Sequence, residues 1–107
     1  MDREPTREEV DGLRGPVVLE FGATWCGHCI ALAPHVKTQL TRFPQFSHLK
    51  IEDGRGKPLG RSFRVKLWPT LVFLHDGAVV AQLVRPSADA LRKAFDELAA
   101  AAGIAPA

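Results

Sequence analysis

The sequence predicts an α/β sandwich with a parallel part and an antiparallel hairpin, and three observations carry that prediction. The apolar run VVLEFG, residues 17–22, is rich in β-branched and aromatic residues and suits a strand buried on both faces. Apolar residues at helical spacing follow it from Gly27 to about Phe43, which supplies the crossover a parallel neighbour requires. Further on, TLVFL and AVVAQLV are joined by His75-Asp76-Gly77, where Asp-Gly is a strong hairpin signal.

The elements follow in chain order. PTREEV opens a helix within residues 1–15, with Thr6 as N-cap and Glu8 and Glu9 near the positive end of its dipole, and Gly15-Pro16 breaks it. The first strand comes next, interrupted only by Glu20. In the second helix Ile30, Ala33, Val36, Leu40 and Phe43 mark an inward stripe. Pro34 lies inside, where it removes a backbone donor and crowds the Ile30 carbonyl, so a kink is expected. HLKIED reads as a short strand and KPLGRSFRV as a short helix after the flexible DGRG. Beyond the hairpin, Ser87 caps a last helix with Leu91, Phe95, Leu98 and Ala102 on one face. The tail GIAPA is expected to fray. With no repeats and no long linker, the 107 residues are expected to form one domain.

Composition narrows the function classes. With 46% hydrophobic and 24% charged residues the chain has an ordinary globular balance. A net charge of +2 is too small to indicate nucleic acid, and no stretch reaches the roughly 20 apolar residues of a membrane span. The start MDREPTREEV lacks the pattern of a secretory signal, so a cytoplasmic location is expected. Charge is uneven: residues 1–11 carry five acidic and two basic side chains. Between 50 and 66, Lys50, Arg55, Lys57, Arg61, Arg64 and Lys66 face only Glu52 and Asp53. That stretch is either a solvated surface or a face for acidic partners.

Both cysteines of the chain, Cys26 and Cys29, sit in FGATWCGHCIALAP, separated by Gly27 and His28. A bridge between them would close a tiny loop and constrain the unfolded chain little, so stability is not the reason for the pair. In the cytoplasm such a pair is more often catalytic or metal-binding. If the helix starts near Cys26, its unpaired N–H groups and dipole favour a thiolate there. Cys29, one turn later, can displace whatever Cys26 has attacked, the geometry of thiol–disulfide exchange. His28 either adds attraction for the thiolate and makes the pair a better oxidant, or is an exposed polar residue.

WCGHC after an apolar strand, the following helix with Pro34, and LWPTLVFLHDG resemble the thioredoxin family over roughly residues 16–100. The resemblance implies the thioredoxin fold, a central mixed sheet of about four strands with helices on both faces. It implies a protein-disulfide oxidoreductase in which Cys26 is the nucleophile and Cys29 the resolving thiol. Gly27 and His28 would tune the pair. Pro69 matches a proline held cis opposite the active site, leaving the backbone before it free to pair with an extended substrate; Trp25 and Trp68 border that groove. Glu20 falls where the family places a buried acid that exchanges protons with the resolving cysteine. A carboxylate in an apolar run is costly when buried, which would suit a general base, but alternation also permits a solvated face. Lys50 is a candidate charge partner for it. Partners would be protein disulfides and a reductase or other thiol donor, acting on a monomer without cofactor.

Departures from the family pattern lie at Gly22, which stands where a tryptophan is usual, at Val84 or Arg85, where a small residue is expected, and at Trp68 before Pro69. All three touch the rim that meets substrate. An extra edge strand at the N-terminus is expected to be absent. Competing readings are weak: the two cysteines with His28 and His35 could hold zinc, but His28 inside the C-x-x-C loop is poorly placed to join them, and the sequence has no second C-x-x-C. GRGKPLGRS has the wrong spacing for a phosphate loop. His48 and His75 read as loop or strand-end residues. A module that docks partners around Trp25, Trp68 and Pro69 without turnover is the alternative function.

Overall fold

The computed structural model describes residues 4–107. In chain order its elements are α1 (Arg7–Asp11), β1 (Pro16–Gly22), α2 (Gly27–Arg42), β2 (Ser47–Glu52), α3 (Pro58–Ser62), β3 (Thr70–His75), β4 (Ala78–Val84) and α4 (Ala88–Ala102). The four strands form one sheet in the order β2-β1-β3-β4. The α2 crossover returns β2 parallel to β1, whereas β3 lies antiparallel to both β1 and β4.

β1 occupies the centre, and its alternation divides the core. Val18 faces α2 and α4, joining Leu32, Val36, Leu71, Phe73, Leu91 and Phe95. Val17, Leu19 and Phe21 point the other way, joining Val10, Leu59, Phe63, Val72 and Leu74 beneath α1 and α3. A strand buried on both faces is the reason for its continuous apolar run. Glu20 shares the parity of Val18 and is itself buried, with 5% of its surface exposed.

Local signals set the element ends. Thr6 and Glu9 form a reciprocal capping box. Pro58 starts α3, and the Ser87 side chain accepts the Ala90 N–H. At the hairpin Asp76 and Gly77 have φ of 51° and 81°, the left-handed pair of a two-residue turn. His75 belongs to β3, opposite Ala78. The Asp76 carboxylate accepts the Gly15 N–H at 2.7 Å, which holds it below the usual carboxylate range and ties the hairpin to the α1–β1 loop.

Three expectations need correction. The N-terminal helix ends at the Gly12 cap and is short, and residues 1–3 lie outside the described residues. Of the expected stripe on α2, Val36, Leu40 and Phe43 pack on the core, joined by Leu32 and Gln39, while Ile30 and Ala33 are exposed. Packing against α4 and β1 placed Leu32 inward at the N-terminal end of α2, and Pro34 lies inside this one helix. The C-terminal tail does not fray: Gly103 caps α4 in the left-handed conformation, Ile104 packs on the core, and the Ala107 N–H reaches the Arg42 carbonyl at 2.7 Å.

Candidate active site

β1 ends at Gly22 and α2 begins at Gly27, so the turn between them presents Cys26 as the N-cap of a 16-residue helix. Its Sγ accepts the Cys29 N–H at 3.2 Å, the bond a serine hydroxyl would make in that place. Both thiols are free; Cys26 is buried and Cys29 half-buried.

The two thiols are driven apart. Cys26 is held below the ordinary thiol range, chiefly by a hydrogen bond from the Cys29 thiol, with burial opposing. The N–H groups of Cys29 and His28 and the positive charge of Arg85 add to the lowering. Cys29 is pushed up, first by burial and then by donating to Cys26, with the charges of Cys26 and Glu20 in the same direction. Such a pair has one sulfur ready to attack and one held in reserve. His28 reaches Cys26 through its backbone, and the side-chain cation that does so is Arg85. Gly27 has open space where a Cβ would sit, so no steric demand requires glycine there.

Glu20 lines a cavity of about 340 Å³ together with Gly22, Cys29 and Lys50. Lys50 stands opposite it in the parallel register, yet the partner of its carboxylate is His48, whose Nε2 lies 2.8 Å from Oε1. Expected in a loop or at a strand end, His48 is the second residue of β2 and only partly exposed. Strand alternation, which puts positions 48 and 50 on one face, is the signal that would have found it. Gly22 has a reason to be small: a Cβ there would meet the Cys29 sulfur at 2.6 Å. The space a tryptophan side chain would leave from is taken by the Cys29 sulfur.

Across the site the Trp68–Pro69 bond is cis. Trp25, 73% exposed, stands edge-on against Trp68 with ring centroids 5.4 Å apart, and the Trp68 indole donates to Asp53 at 2.9 Å. The backbone before Pro69 is not wholly free. Arg85 Nε donates to the Trp68 carbonyl at 2.8 Å, and the Arg85 N–H donates to the Pro69 carbonyl at 3.0 Å. A groove of about 230 Å³ runs alongside, between His28, His35, Pro69, Arg85 and Ala88. Among the described residues no three His, Cys, Asp or Glu side chains gather as a metal would require, and no helix is long and apolar enough to cross a membrane.

A family model described as Thioredoxin matches residues 3–97. The reduced form of thioredoxin 2 from Pseudomonas aeruginosa PAO1 is similar at 51% identity and a TM-score of 0.84, over 94% of each chain. A mutant thioredoxin from Halobacterium salinarum NRC-1 is 30% identical with a TM-score of 0.70, over 85% of this chain and 83% of its own. Among curated proteins, a thioredoxin H-type of Picea mariana is 32% identical over 100 residues, 94% of this chain and 79% of its own. The match over residues 3–97 takes in the whole turn between β1 and α2, and the chain belongs to the thioredoxin family as a thiol–disulfide oxidoreductase with its C-x-x-C pair at Cys26 and Cys29.

Proposed function

We propose that Cys26 is the attacking and Cys29 the resolving thiol, with Glu20 as the proton acceptor for Cys29 and the edge formed by Trp25, Trp68 and Pro69 as the place where an extended substrate docks. The Cys26 thiolate attacks a substrate disulfide, forming a mixed disulfide and releasing one substrate thiolate. Cys29 then gives up its proton and attacks Cys26 Sγ; the second substrate thiolate leaves, and the protein is left with a Cys26–Cys29 disulfide. Two electrons have passed from the pair to the substrate. A protein reductase or other thiol donor returns the pair to the dithiol form for the next cycle.

The observation that carries this reading is the placement of Cys26 as the N-cap of α2, its Sγ accepting the Cys29 N–H, with the Cys29 thiol hydrogen bond lowering Cys26 and burial raising Cys29. Glu20 is supported by its burial and by the cavity it shares with Cys29, which is roomy and polar enough for a bridging water. The chain is taken to act as a monomeric single domain in the cytoplasm, on protein disulfides rather than nucleic acid or membrane.

Trapping tests the assignment. Cys29→Ser keeps the activated Cys26 and removes the group that displaces the substrate, so mixed disulfides accumulate and disappear under reductant. Cys26→Ser traps nothing and abolishes the acceleration of insulin reduction by dithiothreitol. Glu20→Gln retains attack and slows resolution near neutral pH. A stronger trap from Cys26→Ser would reverse the roles of the two thiols.

A further inference from the structure

Arg85 follows the last residue of β4 with φ of 47°, a left-handed conformation that a long side chain seldom adopts. Its placement is fixed twice, by its N–H on the Pro69 carbonyl and by its Nε on the Trp68 carbonyl. The guanidinium is therefore laid across the backbone that precedes the cis-proline, and its side chain remains exposed. Where a small residue would leave the Trp68 carbonyl open as an acceptor, this chain presents the remaining N–H donors of a cation.

His28 and His35 stand on the α2 side, and among the described residues the lining includes no carboxylate. His28 in the first turn of α2 and Ala88 at the start of α4 both line it. His28, two residues after Cys26, and Pro69 line the same groove, so whatever Arg85 binds there lies beside the C-x-x-C turn.

We propose that Arg85 makes this groove select disulfide substrates bearing an acidic side chain beside the cysteine that Cys26 attacks. The inference rests on the docking edge proposed above. A guanidinium already held by one nitrogen offers a planar pair of donors to a carboxylate with little further ordering, which favours geometry-specific recognition over a loose surface pair.

The test uses two peptides of equal length, each closed by one disulfide, with either aspartate or lysine on both sides of one cysteine. The full chain, recycled by dithiothreitol, should show a higher kcat/KM on the aspartate peptide by about three- to tenfold at low ionic strength, as exposed ion pairs allow. Near 1 M salt, where the screening length is about 3 Å, the ratio should approach one. Arg85→Gln should bring the ratio close to one at low salt, and Arg85→Glu should invert it. Using the ratio removes any effect on Cys26 itself. If both variants slow the two peptides by the same factor, or leave the wild-type preference in place, Arg85 does not choose substrates and the proposal is wrong. Trp25→Ala separates the two readings: it should slow both peptides alike. If it slows neither, the docking edge fails and the charge selection with it.

Discussion

One N–H group distinguishes histidine from proline at position 28, and the structure makes that group count. The His28 N–H is among the donors that hold Cys26 below the ordinary thiol range, while its side chain lies exposed along the groove. His28→Pro is tolerated so early in α2, because first-turn N–H groups lack helical partners. It removes a donor to the thiolate, which exists only in the reduced form, so the disulfide is favoured. The potential should become more negative by on the order of 30 mV, a fraction of the roughly 90 mV between thioredoxin and protein disulfide isomerase. Cys26 alkylation should shift to higher pH. His28→Ala retains the N–H and should leave both nearly unchanged. Equal shifts in the two variants, read by glutathione equilibration, would return the effect to the imidazole. At this scale the C-x-x-C pair Cys26 and Cys29 was legible from spacing and the cis bond before Pro69 from resemblance, whereas alternation left both faces open for Glu20, and only the sheet shows it buried. His48 and Arg85 were not legible, because a hydrogen bond to Glu20 and a clasp on the Trp68 carbonyl join residues 28 and 17 positions apart.

The order of helices and strands was legible where ends carry their own code, in the Thr6 and Ser87 caps and Asp76-Gly77 in the hairpin, whereas the end of α1 at Gly12 was not. Which face of α2 turns inward was not, since Ile30 and Leu32 are equally apolar and only the approach of α4 chooses between them. Gln39 is inward for the same reason: its Oε1 accepts from Arg42 at 2.7 Å, and Arg42 continues to Asp96 of α4 at 2.9 Å. The tail that follows α4 belongs to this arrangement. Its composition reads as loose, yet Ile104 covers apolar surface and Ala107 closes on the C-terminal end of α2. Deleting residues 104–107 should cost about 1–2 kcal/mol, the sum of a partly buried isoleucine and one backbone hydrogen bond. The urea midpoint measures it. Cys26 alkylation should be unaffected, since the contacts lie at the opposite end of α2. An unchanged midpoint would mean that the tail only rests on the surface.

Across the whole molecule, redox state and folding are linked through the same two sulfurs. In the reduced protein Cys26 ionises below its unfolded value, so its contribution to stability is absent in acid, grows as pH rises through the folded pKa, and is complete above the unfolded value of about 8.5. Cys29 has the opposite sign: raised in the fold, its contribution is fully present below about 8.5 and is lost as pH climbs from there through its folded pKa. The disulfide form contains neither titration. Other ionisable groups, including Glu20 with His48 and Asp76 with the Gly15 N–H, occur in both forms and largely cancel in the difference. Unfolding free energy, oxidised minus reduced, should therefore fall from mildly acid pH to about 8.5 and rise again beyond it. Urea titrations of both forms from about pH 4 to about pH 10 would draw this curve, with the reduced samples kept under reductant. In the reduced protein alone, Cys26→Ala should abolish the gain in stability up to about pH 8.5 and leave a loss beyond it, since burial still raises Cys29. A difference that changes in one direction only would mean that the two thiols are not driven apart in the folded protein, and the division of labour between attacking and resolving sulfur would lose its physical basis.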